Sequence, residues 1–126
     1  MIKTTAWFDF RQPVAYDPDK KRLFHRHARR QLMLLAAALG LGDSDYDVRS
    51  NEGGVAVCGE AILHAERLYV QASQSCMGCD AGILFRSCDG RQDYVGDRNH
   101  FAPLDLLNHP AALAALIRRN VLLPVS

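Results

Sequence analysis

No stretch of this 126-residue chain is apolar for long enough to cross a bilayer. The longest such run, Leu32 to Leu39, has eight residues, where a spanning helix needs about 20. Neither sign of charge dominates: fifteen Lys and Arg against fourteen Asp and Glu leave a formal charge of +1. With no overall field to draw a polyanion, any nucleic-acid contact has to come from a local patch. An export signature is missing too, since Met1-Ile2-Lys3 leads through Thr4, Thr5 and Ala6 to Trp7 and Phe8 without an h-region or a small-residue cleavage site. The expectation is a cytoplasmic protein with no membrane partner. The chain also has no GxGxxG, P-loop, G-x-S-x-G or H-E-x-x-H pattern, which removes the commonest sequence pointers to nucleotide, acyl-transfer and metalloprotease chemistry. No repeat, low-complexity tract or linker divides it, and its length suits a single domain over 1–126 with a proper core.

What is present reads as α+β. Residues 2–8 (Ile-Lys-Thr-Thr-Ala-Trp-Phe) are β-branched and aromatic, the composition of a short strand or an extended arm. Asp17-Pro18 is a helix start, Asp as N-cap and Pro in the first turn. From about Asp19 to Leu39 the helical period gathers Phe24, Ala28, Leu32, Leu35, Ala38 and Leu39 on one side, with Arg22, His25, Arg26 and Arg29 across from them. Gly40 or Gly42 supplies the left-handed end, and Asp43, Asp45 and Asp47 form an acidic loop.

Strand patterns follow. Tyr46 to Ser50, Val55 to Leu63, Leu68 to Gln74, Ala81 to Cys88 and Arg91 to Val95 read as a meander, with Asn51 to Gly54, Ala65 to Arg67 and Asp89-Gly90 as turns and Gly59 as a bulge. Ala81 to Cys88 is short and apolar enough to be buried helix as well; its Gly, its aromatic and the Asp-Gly turn favour strand. Gly96 to Ala102 is a polar loop. Pro103 opens a short helical piece over Leu104 to Leu107, and Ala111 to Arg119 is the closing helix, capped by Asn120. The whole predicts a meander sheet of four to five strands with two main helices on one face.

Three of the four cysteines lie between Ser75 and Gly90. Cys76-Met77-Gly78-Cys79 has the spacing of a zinc knuckle, two thiolates offered from one tight turn. A structural zinc needs four ligands, and there is no second pair: Cys58, Cys88, His64 and His100 stand as singletons. In a chain without an export signal the default is reduced, well-packed thiols. A redox dithiol would need Cys76 at a helix N-terminus, which a strand over Ala81 to Cys88 denies.

His64-Ala65-Glu66 followed by Cys76-Met77-Gly78-Cys79 resembles the signature of the zinc-dependent nucleoside and nucleobase deaminases, over about residues 64–85. The resemblance implies zinc held by His64, Cys76 and Cys79, with Glu66 moving the proton to and from the attacking water. That family sets a helix and then a strand between the Glu and the first Cys, whereas nine residues, Arg67 to Ser75, lie between them here, and Ser75 replaces the expected proline. If Leu68 to Gln74 is extended, His64 and Cys76 sit at opposite ends of a strand more than about 20 Å long, outside one coordination shell.

Two further clusters carry functional groups. Arg22, Arg26 and Arg29 recur at i, i+4, i+7, with Lys20, Lys21, His25 and Arg30 nearby, a stripe suited to phosphates. The same stripe is also what the solvated face of an amphipathic helix looks like, and no RNA-binding aromatic pair or helix-turn-helix glycine accompanies it. The loop from Arg91 to His100 brings an anion holder, Arg98, and a titrating group, His100, close to Asp93 and Asp97. His25 and His27 are two apart on a helix, so their rings diverge and make a poor metal pair.

With no complete catalytic constellation, the leading expectation is a non-catalytic accessory or binding protein that self-associates through a sheet face or edge and needs no cofactor. The alternatives are a nucleic-acid-associated protein using the basic helix face, and a zinc protein or deaminase-like enzyme using the cysteine pair.

Overall fold

The computed structural model describes residues 14, 16–54, 59–73, 82–88, 90 and 98–121. Within them the expected α+β architecture is present: a five-stranded antiparallel sheet whose strands follow chain order, with two α-helices. The strands are β1 (Tyr46–Asn51), β2 (Glu60–Ala65), β3 (Leu68–Ser73), β4 (Gly82–Ser87) and β5 (His100–Ala102). The helices are α1 (Pro18–Ala38) and α2 (Pro110–Asn120), with 3-10 turns at Asp43–Asp45 and Leu104–Asn108.

The start of α1 follows from its first residues. The Asp17 carboxylate accepts from the Lys20 N–H at 3.1 Å, meeting one of the donors a helix start leaves open, and Pro18 sits where no N–H is needed. At the other end Gly40 takes φ 81°, while the Gly40 and Leu41 N–H groups return to the Ala37 and Ala36 carbonyls at 3.0 and 2.9 Å. That is a Schellman ending, and it turns the chain into β1. The Arg118 guanidinium on α2 donates to the Ala38 carbonyl at 2.9 Å, so the second helix helps to close the first.

One face of the sheet is apolar because alternate residues supply it: Ala61, Leu63 and Ala65 from β2, Leu68, Val70 and Ala72 from β3, Ile83 and Phe85 from β4. They form one core with Phe24, Ala28, Leu32, Leu35 and Ala36 of α1 and Leu113, Ala114 and Ile117 of α2. Polar links sit within it. The Gln31 amide donates to the Leu107 carbonyl at 3.0 Å, and the His27 Nε2 meets the Asn108 Oδ1 at 2.6 Å.

Several boundaries depart from the sequence reading. Gly82–Ser87 is strand, which settles the ambiguous run, and β4 pairs with β3 along its full length. The end of the expected Gly96–Ala102 loop is β5, because Ile83, Leu84 and Phe85 offer a sheet edge that three polar-flanked residues suffice to pair. Asn120 stays helical and its amide reaches back to the Leu116 carbonyl at 2.9 Å; Val121, at φ −124°, ends the helix in place of a left-handed Asn. Gly59 has φ 77° directly before β2, where a Cβ would lie 2.1 Å from the Asn51 carbonyl oxygen, so this approach of two chains admits only glycine. The expected strands at residues 2–8 and 91–95 lie outside the described residues.

Candidate functional site

A concave basic surface lies between α1 and β1. Arg22, Arg26, Arg29 and Arg30 of the helix line a cleft of about 630 Å³ together with His25, Met33 and Leu34, and Ser50 and Glu52 close it from the strand side. The helical period puts Arg22, Arg26, Arg29 and Met33 on one stripe. The chain then doubles back, so that Gly54, just past β1, lies beside the start of α1, where the Lys21 ammonium donates to its carbonyl. Arg22 pairs with Asp19 one turn earlier. Among the described residues Arg26, Arg29 and Arg30 make no ion pair, and the Ser50 Oγ is buried without a hydrogen-bond partner.

Two members of the expected solvated stripe are buried. His25 is 3% exposed and sets its ring edge-on to Phe24 at 5.0 Å, and Lys21 is 6% exposed. The helix is buried over a wider arc than its apolar residues mark, because β1 and the turn after it press on that flank. Periodicity finds the core stripe, but not how far a neighbouring strand overlaps its border.

The opposite sheet face carries a cluster that sequence reasoning missed. His64 on β2, Tyr69 on β3 and Arg86 on β4 are neighbours across the ladder, and all three are buried. The Arg86 guanidinium lies 4.1 Å from the centre of the Tyr69 ring, and the His64 and Tyr69 rings meet edge-on at 5.2 Å. Arg49 reaches His64 Nδ1 at 3.4 Å, Asn99 accepts from Arg86 at 3.4 Å, and the Tyr69 hydroxyl donates to Gln71 at 3.0 Å. The signal was available only as cross-strand register, which places residues 64, 69 and 86 side by side.

The cysteine and histidine candidates are dispersed. Cys76, Cys79 and Cys58 lie outside the described residues, as do Arg91, Asp93 and Asp97. Leu68–Ser73 is extended, and Ser73 pairs with Glu60 at the far end of β2 from His64. Chain direction therefore carries the backbone away from His64 before the cysteine pair begins. Cys88 is buried, and its Sγ donates to the Ala65 carbonyl at 3.4 Å. Glu66 is at the exposed β2–β3 turn, and its carbonyl accepts from the Gly90 N–H at 2.7 Å. Arg98 is exposed, while His100 stacks on Phe85 at 5.3 Å as part of β5. Among the described residues no three of His, Cys, Asp and Glu gather to hold a metal ion, and no helix is long and apolar enough to cross a membrane.

Family models, curated proteins and solved structures were compared with this chain, and none matches it.

Proposed function

We propose that this protein is a non-catalytic binding protein that associates with a second copy of itself along β1. The observation that carries the reading is the edge itself. Among the described residues β1 pairs with β2 on one side only, leaving six residues of backbone to template a further strand.

The order of residues on β1 suits a two-fold partner. Antiparallel pairing centred on Val48 sets Asp47 opposite Arg49 of the other copy, twice, and Tyr46 opposite Ser50. Opposite charges directly across a ladder contribute about 0.2–1 kcal/mol each, and like charges oppose pairing by similar amounts. Slipping the centre to Asp47 or Arg49 would face like charges, so this register is selected over its neighbours.

Sedimentation equilibrium at micromolar concentration tests the reading. The wild-type chain is expected to dimerise, Asp47→Arg to shift it to monomer, and the exchange Asp47→Arg with Arg49→Asp to restore the dimer. A strictly monomeric wild type, or an Asp47→Arg dimer of unchanged affinity, would sink it. A wild-type monomer in which residues 2–8 cover β1 counts against it in the same way, and their deletion would reveal that case by exposing the edge.

A further inference from the structure

We infer that the cleft between α1 and β1 is a nucleotide site, with phosphate at the arginine end and the base at the Met33 end. This goes beyond self-association and stands independently of it. Three observations converge on the cleft: a local excess of guanidinium groups, a buried hydroxyl without a partner, and an apolar floor left half open.

Arg26 and Arg29 are on the stripe that overlooks Ser50, and neither makes an ion pair among the described residues. Guanidinium forks match phosphate oxygens in geometry as well as charge. The Ser50 Oγ lacks a hydrogen-bond partner and its residue lines the cleft, so a turn of χ1 toward a bound phosphate oxygen removes that cost. Arg22 lines the same end, held there by Asp19.

Beyond the arginines the wall becomes apolar. Met33 and Leu34 are 51% and 48% exposed, and they line the same cleft. Arg26 and Met33 are seven residues apart, about 10 Å along the helix axis, close to the reach from a phosphate to the far edge of its base. A thioether is well suited to lie against a flat ring. Glu52, the one acid in the lining, supplies an acceptor for a sugar hydroxyl.

The bounds of the cleft separate this ligand from a long nucleic acid. Its volume of about 630 Å³ falls in the range of small-molecule sites. A polyanion continued along α1 would meet Asp19 beyond one end and the Asp43–Asp45 turn past the other. Those carboxylates repel a second and third phosphate run, but leave room for a single nucleotide.

Isothermal titration calorimetry of the full chain with ADP, inorganic pyrophosphate, adenosine and single-stranded oligothymidylates tests the site. ADP is expected to bind, pyrophosphate more weakly, and adenosine weakest. Arg26→Ala with Arg29→Ala should lower ADP affinity by about tenfold or more, the loss expected for charge-assisted contacts. Met33→Asp should weaken ADP and leave pyrophosphate unchanged, and Arg119→Ala, on α2, should change neither; circular dichroism checks that each variant is folded. The assignment is overturned if ADP does not bind or if the double arginine variant binds it as well as wild type. It is equally overturned if Met33→Asp leaves ADP affinity intact, or if oligothymidylate binds with affinity that grows with length while ADP does not.

Discussion

The Lys21 ammonium donates to the Gly54 carbonyl, 33 residues further along the chain. This one contact ties the first turn of α1 to the turn that follows β1. It also removes Lys21 from the cations available to a ligand, since the side chain is 6% exposed.

Lys21→Met keeps the aliphatic stem and loses the charged hydrogen bond. It is expected to lower stability by about 1.5–3 kcal/mol, the range for a hydrogen bond to a charged group. Urea unfolding of the variant beside wild type measures it. An unchanged midpoint would mean that the contact contributes nothing in solution.

Gly59→Ala places a Cβ 2.1 Å from the Asn51 carbonyl oxygen in a residue held at φ 77°. Backbone has to move in either β1 or β2, and a loss of about 2–4 kcal/mol is expected. A thermal midpoint within error of wild type would show that the β1–β2 connection relaxes freely.

The Cys88 thiol is 5% exposed and donates to Ala65, so it should resist alkylation in the folded protein and react once urea is added. Peptide mapping after timed iodoacetamide treatment separates it from the other cysteines. Prompt native labelling at Cys88 would contradict its burial. Metal content on the same samples tests the deaminase resemblance: His64→Ala is expected to leave zinc content unchanged, and stoichiometric zinc lost in both His64→Ala and Cys76→Ala would instead place the two residues at one ion.

Arg86→Met removes a guanidinium that is 7% exposed and stacked on Tyr69. A desolvated cation on an aromatic face is worth about 2 kcal/mol, and a loss of that order is expected. Tyr69→Phe keeps the ring and forfeits the hydroxyl's bond to Gln71, so it should cost about half as much. If Tyr69→Phe proves the more damaging of the two, the hydroxyl and not the ring governs this face.

Local order was legible wherever a residue's own chemistry decides its backbone. Asp17 and Pro18 started α1 where expected, and Gly40, one of two glycines offered, ended it; Gly59, expected as a bulge within a strand, instead stands directly before β2. Alternation along Leu68, Val70 and Ala72 identified the core face of β3 before any neighbour was known. Apolar burial extends over whole elements, so single ambiguities such as Gly82–Ser87 do not change the architecture.

Tertiary structure alone decided what those elements bring together. Whether His25 and Lys21 face solvent depends on how closely β1 lies against α1, and the helical period carries no information on that overlap. His64, Tyr69 and Arg86 become neighbours through strand register, a relation between segments that no local pattern encodes. The basic stripe of α1 was visible in the sequence as a row of charges. It became a cleft only because β1 folds back beside it, setting Ser50 and Glu52 opposite the arginines, and a concave wall is what turns a solvated helix face into a place where a ligand can lose its water.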